Sequence, residues 1–284
     1  MPPLRFRQQR FPDAAGAACI GIGTDTGGSL RIPASLSSLV GFRSSVDPEE
    51  WHGTMHLAPT LDAFGWLNRH LCDVSLIGRS LYPSLPAPLL PEKMRFAKMT
   101  GAWLDVCEPP VLDAFDAFCK HLQEFGFTVQ ETPALGWNDA NEIRQHVTAY
   151  EAFQGHRQLL DQHRAEYDPI ILKRLEFGGT LSHETYTQYL TRKELFSWKL
   201  DDAFYEVDFL LAPTVPVSKV LPGEYANDGF LITLTSAASV AGLPVLTVPW
   251  RENQHKGGIG FQIMARKEHD AALFVLADKL SKCY

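Results

Sequence analysis

The chain has 284 residues, a formal net charge of −7, 45% hydrophobic residues and 21% charged residues. This composition is ordinary for a globular protein, and the negative charge argues against nucleic acid or an anionic membrane surface as a main partner. No apolar run approaches the roughly 20 residues that a membrane-spanning helix needs. Five widely spaced cysteines without a C-x-x-C pair fit a reducing compartment, so we expect a cytoplasmic protein.

The first feature in chain order is the glycine-rich stretch GIGTDTGGSLRIPAS at residues 21–35. A dinucleotide-binding fingerprint is disfavoured because Thr26 stands at its sixth position and Pro33 comes too early for the helix that should follow. A phosphate-binding P-loop is also disfavoured, since no Gly-Lys-Ser/Thr follows. Two interpretations stay open. The backbone N–H groups around Ser29 converge as an oxyanion hole requires, or the stretch is only a turn packed against a sheet.

A proline-rich stretch at the end of residues 74–94 separates this front from a helical middle. The pattern PPVLDAFDAFCKHLQEFGF predicts a helix from residue 109 to a stop at Gly126, and TVQET after it predicts a short strand. Charged and apolar residues at helical spacing predict two long amphipathic helices, over residues 138–167 and 183–205. We expect a turn at Gly178-Gly179 to join them.

The last third alternates between strand and helix patterns. VDFLLAP, residues 207–213, is a nearly continuous apolar run typical of a buried strand. GFLITLTSAASVAG predicts a helix that ends at Gly242, LPVLTVPW and GGIGFQIMAR predict two more strands, and HDAALFVLADKLSKC predicts a closing helix. Strands that alternate with helices indicate an α/β domain.

A pair of histidines is considered as a metal site. His52 and His56 lie in WHGTMH, but Gly53 weakens any helix that would bring both rings to one ion. We therefore predict no metal and no cofactor.

The motifs along the chain resemble those of the amidase signature family. GTDTGGSLRIPAS is similar to the second half of the family's signature, and LVGFRSS, LAPTLDAFGWLNRHLCDVSLIGRSL, DFLLAPTVPV, TSAASVAGLPVLTVPW and GGIGFQIMAR follow in the family's order. The resemblance covers most of residues 16–280. It implies a mixed β-sheet core covered by α-helices. It also implies one amidase-like domain over residues 1–284, with a divergent segment at 1–15 and a family-like region at 16–284.

The resemblance also implies roles for individual residues. Ser29 corresponds to a serine nucleophile that attacks an amide and forms an acyl-enzyme. The N–H groups of Thr26, Gly27, Gly28 and Ser29 correspond to the oxyanion hole. Asp25 and Arg31 occupy positions that brace the loop, where an ion pair would hold its shape. The implied substrate is a small-molecule amide, and an assembly of identical copies is left open.

One part of the family's pattern is absent from this sequence. The family activates its nucleophile through a second serine in a cis peptide and a lysine, both upstream, but the serine's position falls near Arg5 in PLRFRQQRFP. Ser29 is the first serine of the chain and Lys93 is the first lysine. We therefore expect a truncated amidase that lacks the N-terminal part of the fold, and whose activity as written is left open because the serine–lysine relay is absent.

Two other interpretations of this absence stay open. The chain is a non-catalytic binding or scaffold protein with an amidase fold, or another base activates Ser29. Lys93 and Lys98 are the candidates for that base, although nothing in their spacing favours them. Arginine is excluded because it stays protonated.

Overall fold

The computed structural model describes residues 18–45, 53–134, 136–220, 229–250 and 258–282. Its strands in chain order are β1 (Ile20–Thr24), β2 (Val40–Arg43), β3 (Phe64–Asn68), β4 (Arg95–Thr100), β5 (Thr128–Pro133), β6 (Phe209–Pro213), β7 (Val245–Pro249) and β8 (Gly260–Met264). They form one eight-stranded sheet in the order β1-β3-β2-β7-β8-β6-β4-β5. Pairing is antiparallel from β1 across to β6 and parallel among β6, β4 and β5, so the sheet is mixed.

The α-helices of the described ranges are α1 (Arg31–Leu36), α2 (Leu71–Leu81), α3 (Pro109–Glu124), α4 (Asp139–His163), α5 (Pro169–Thr180), α6 (His183–Asp202), α7 (Ser236–Ala241) and α8 (Asp270–Leu280). Helix α3 packs against β5 and β6, α8 packs against β7, and α1 packs against β2, β7 and β8. This arrangement confirms the expected α/β fold with a mixed sheet and flanking helices.

The centre of the sheet is its most buried part. Every residue of β6, β7 and β8 is buried, which explains why these segments have nearly continuous apolar sequences. Aromatic rings extend the core to either side. Phe42 stacks on Trp66 with ring centroids 4.3 Å apart, and Phe118 stacks on Phe261 at 4.8 Å.

Most elements predicted for the second half of the chain are confirmed. Helix α3 begins with Pro109 and Pro110 in its first turn, strand β5 follows it, and β6, β7, β8 and α8 occupy their predicted segments. The helix predicted over residues 229–242 begins later than expected. A short 3-10 turn, Phe230–Ile232, precedes α7, which does end at Gly242 in a left-handed conformation with φ +65°.

The turn predicted at Gly178-Gly179 is wrong. Both glycines lie inside α5, an additional helix between the two that were predicted. A Cβ on Gly178 would lie 1.9 Å from the carbonyl oxygen of Ala149 in α4, and one on Gly179 would lie 2.9 Å from the Phe153 ring. These glycines therefore allow α4 and α5 to pack closely, and they do not interrupt a helix.

Within the described ranges, no helix is both long enough and apolar enough to cross a bilayer.

Candidate active site

Ser29 lies in a tight loop between β1 and α1. Residues 25–30, called the Ser29 loop below, are buried except for Ser29 itself, which is exposed. Gly28 adopts a φ of +130°, and a Cβ at this position would lie 2.5 Å from the Thr235 hydroxyl oxygen. Only glycine fits both the backbone conformation and the space. The loop therefore presents one hydroxyl to solvent on an otherwise enclosed backbone.

Asp25 holds the Ser29 loop in shape through its carboxylate. The carboxylate accepts backbone N–H groups from Gly28 at 2.7 Å, Leu30 at 3.2 Å and Arg31 at 3.3 Å. The Arg31 guanidinium donates two further hydrogen bonds to it, from Nε at 3.0 Å and from Nη2 at 2.8 Å. The structure thus contains the ion pair between Asp25 and Arg31 that the family resemblance implied, and its geometry is bidentate.

The charges of this cluster are fully buried. Burial alone would raise the pKa of Asp25, but Arg31, Arg43 and the Leu30 N–H outweigh it and hold that pKa below its usual range. The Arg43 Nε lies 3.7 Å from the Asp25 carboxylate, and burial together with the charge of Arg31 lowers the pKa of Arg43 to about 10. Asp25 is therefore ionised at neutral pH and lies between two buried cations.

Helix α7 and strand β8 close the loop from the other side. Arg31 Nη1 donates to the Thr235 carbonyl at 2.8 Å and to Gln262 Oε1 at 2.7 Å, and Nη2 donates to Ser239 Oγ at 2.7 Å. The Thr235 hydroxyl donates to the Gly27 carbonyl at 2.6 Å. The loop is consequently fixed by contacts from the last third of the chain.

The backbone N–H groups of the loop are divided between two environments. The Gly28 N–H is engaged by Asp25. Within the described residues, no acceptor meets the N–H groups of Thr26, Gly27 and Ser29. Of the four N–H groups expected in the oxyanion hole, these three could therefore donate to a substrate oxygen. The fourth, from Gly28, already donates to Asp25 within the loop.

Asp62 supports the loop from the turn before β3. Its carboxylate accepts the Thr26 hydroxyl at 2.5 Å and the backbone N–H groups of Leu57 at 2.9 Å and Ala58 at 3.1 Å. His56 Nδ1 lies 3.4 Å from the same carboxylate. Asp62 was not singled out from the sequence, where its only signal is its place in the family-like stretch.

The lysines considered as bases for Ser29 lie on and just before β4. Lys98 is on β4, the second strand from the opposite edge of the sheet to β1. Its ammonium contacts Asp116 at 2.8 Å and Glu131 at 2.9 Å. Partial burial would lower the pKa of Lys98, but these carboxylates raise it above its ordinary value. Lys93 is exposed just before the same strand, and no described contact connects either lysine with the Ser29 loop, so a role for them as the base stays a prediction.

Metal-ligating side chains do not gather near this loop in the part of the chain that the structure describes. No three His, Cys, Asp or Glu residues there are placed to hold one ion. His56 lies beside Asp62, whereas His52 falls outside the described residues.

Comparison with known proteins assigns the chain to a family. The family model described as Amidase matches residues 14–274. The 2-amino-5-chloromuconic acid deaminase of Comamonas testosteroni is 28% identical over 92% of this chain and 60% of its own length. An amidase of Pseudomonas putida is 27% identical over 83% of this chain and 57% of its own length.

The solved structures agree with the sequence comparison. A crystal structure of an amidase superposes with a TM-score of 0.85 at 25% identity, covering 95% of this chain and 64% of that one. The chain thus spans about 60% of the length of the curated relatives it matches. Because the family model matches residues 14–274 of the 284-residue chain, the chain belongs to the amidase family.

Proposed function

We propose that this chain supplies the nucleophile and the oxyanion-binding loop of an amide hydrolase, with Ser29 as the attacking residue. The observation that carries the proposal is the Ser29 loop itself: an exposed hydroxyl on a buried backbone that Asp25 and Arg31 hold rigid. The family membership supports an amide as the substrate, and the net charge of −7 favours a small molecule over nucleic acid.

The proposed chemistry follows the general scheme of nucleophilic acyl transfer. Ser29 Oγ attacks the carbonyl carbon, and the carbonyl oxygen takes the negative charge. The N–H groups of Thr26, Gly27 and Ser29 are the proposed donors to that oxygen, and because the loop is already rigid they need little reorganisation. Collapse of the tetrahedral intermediate expels the amine, which takes up the serine's proton from the acceptor group, and leaves an acyl-serine. Water then hydrolyses the acyl-serine to the acid and the free serine.

The serine proton needs an acceptor, since a neutral hydroxyl is a weak nucleophile. Lys98 is paired with two carboxylates and stays protonated, and the arginines of the site cannot act as bases. We therefore assign attack and oxyanion stabilisation to this chain's described residues, and proton acceptance to a group outside them.

Ammonia release from a panel of small primary amides tests the proposal. We expect Ser29→Ala to lower the rate at least about 10³-fold, because this substitution removes the attacking atom. Ser84→Ala is the matched control, since Ser84 is also an exposed serine in a turn. Turnover by Ser29→Ala at the wild-type rate would contradict the proposal. A folded wild-type protein that binds amides without releasing ammonia would favour the alternative, a non-catalytic binding or scaffold protein.

A further inference from the structure

Arg144 lies against the Ser29 loop. It belongs to the second turn of α4, and its Cδ is 3.0 Å from the position that a Cβ on Gly27 would take. The methyl group of Ile232 reaches the same position from α7's side, at 3.4 Å. Because Gly27 has no side chain, the arginine packs directly on the backbone two residues before Ser29.

A hydrogen-bond network between α4 and α7 holds this side chain in place. Arg144 Nε donates to Ser236 Oγ at 2.9 Å, and Ser236 Oγ donates to Asn141 Oδ1 at 2.7 Å. Asn141 Nδ2 donates in turn to the Thr233 carbonyl at 3.3 Å. The Cδ and Nε atoms of Arg144 are therefore held by these contacts, whereas its two terminal nitrogens, Nη1 and Nη2, take no part in this network.

The charge of Arg144 has no anionic partner among the described residues, where no carboxylate oxygen lies within 4 Å of it. In contrast, Arg192 on α6 pairs with Glu142, two residues before Arg144, at 2.8 Å. Burial and the nearby charge of Arg174 lower the pKa of Arg144 to about 10, so its guanidinium still carries a full charge at neutral pH. A partly buried charge without a partner is costly for a folded protein.

From this placement we propose that Arg144 binds a carboxylate on the substrate, and that the amides this site takes are monoamides of dicarboxylic acids. The inference rests on the proposed function, because it places the substrate's amide at Ser29. The two terminal nitrogens of a guanidinium match the two oxygens of a carboxylate. Arg144 is then a specificity and positioning residue, and binding at this remote group orients the amide for attack.

Binding calorimetry of succinamate and succinamide tests this inference without turnover if it is done in the Ser29→Ala background. The two ligands have nearly the same shape, but only succinamate carries a carboxylate. We expect succinamate to bind more tightly, and Arg144→Gln to weaken its binding about ten- to a hundredfold while succinamide binding stays unchanged. Arg144→Lys keeps the charge without the paired nitrogens, so we expect an intermediate loss.

Arg157→Gln is the matched control, since Arg157 is an exposed arginine on the same helix, and it should leave both affinities unchanged. The inference would be overturned if succinamate bound Ser29→Ala no more tightly than succinamide, or if neither ligand bound measurably. This comparison does not depend on whether Arg144→Gln folds. Ammonia release separates the two proposals. If the protein hydrolyses both amides and binds succinamate no more tightly than succinamide, only this inference fails. If it binds succinamate more tightly but releases no ammonia, only the proposed hydrolysis fails.

Discussion

The Asp25 carboxylate accepts the backbone N–H groups of Gly28 and Leu30 in the Ser29 loop and of Arg31 in α1, and it lies between two arginines in a fully buried setting. It therefore has two effects: it sets the loop's conformation, and its charge compensates part of the charge of Arg31 and Arg43. Removing a partner from a buried ion pair is expensive because the remaining charge is left without compensation. The shape of the site and the stability of the fold should depend on the same residue.

Asp25→Asn keeps the size of the side chain and removes its charge. We expect the free energy of unfolding at pH 7, measured with urea, to fall by about 3–5 kcal/mol. The pKa of Asp25 in the folded protein lies below its unfolded value of 3.8, so the unfolded state binds more protons in that range. The stabilisation by Asp25 is thus complete above pH 3.8 and is lost as the pH falls through its lowered pKa. The difference between wild type and Asp25→Asn should shrink on acidification.

Asp113→Asn is the control for this prediction, since Asp113 is exposed on α3. Its free energy of unfolding should stay within about 0.5 kcal/mol of wild type. An Asp25→Asn variant as stable as this control at pH 7 would show that the buried carboxylate does not hold the loop.

Some residues of the site could be predicted from the sequence, and others could not. Asp25, Ser29 and Arg31 stand in one short motif, so the family resemblance indicated them together. Thr235 contacts Gly27 from 208 residues away, and Arg144 reaches the same glycine from another helix. No local pattern connects such distant positions, because only the folded sheet brings them to one loop.

At the scale of elements, α4 is the helix that links the site to the rest of the helical layer. It packs against α5, α6 and α7, and Glu142 on α4 pairs with Arg192 on α6. Periodicity predicted α3, β6 and α8 because each has a clear apolar pattern. It failed at Gly178, since the reason for that glycine is the approach of another helix and not a turn. Strands β1, β2 and β3 were not predicted by pattern, because glycine interrupts the apolar residues in each of them.

Gly178→Ala and Gly155→Ala form a matched pair of helix substitutions. A Cβ on Gly178 would collide with the Ala149 carbonyl group, whereas nothing lies within 4 Å of one on Gly155. We expect Gly178→Ala to lower the free energy of unfolding by about 1–3 kcal/mol. Gly155→Ala should raise it by up to about 1 kcal/mol, because alanine favours a helix. Thermal unfolding followed by circular dichroism measures both, and equal effects would contradict the close packing of α4 on α5.

At the scale of the whole molecule, the front and the last third of the chain build one sheet. Strand β2 pairs with β7, so the elements that carry Ser29 are joined to those formed by residues 245–264. The proline-rich stretch between α2 and β4 does not divide them. We propose that residues 16–284 unfold as one cooperative unit, since the largest hydrophobic cluster contains residues of β2, β3, β4, β6, β7 and β8.

Alkylation of the native protein with iodoacetamide tests this packing. Cys19 and Cys72 are exposed, whereas Cys107 and Cys119 are buried, and burial raises the pKa of both buried thiols to about 12. We expect rapid modification of the two exposed cysteines at pH 8 and protection of the two buried ones until the protein unfolds. Peptide mapping by mass spectrometry reads out each site. Modification of Cys107 or Cys119 in the native protein at the rate of Cys72 would contradict the described core.

A fluorophosphonate probe tests whether Ser29 is a working nucleophile. The probe reacts with activated serines and leaves a stable adduct, which digestion and mass spectrometry locate along the chain. We expect one adduct, at Ser29, that is retained in Ser84→Ala and absent from Ser29→Ala. A well-folded wild-type protein that acquires no adduct, or acquires it at another serine, would show that Ser29 is not the nucleophile.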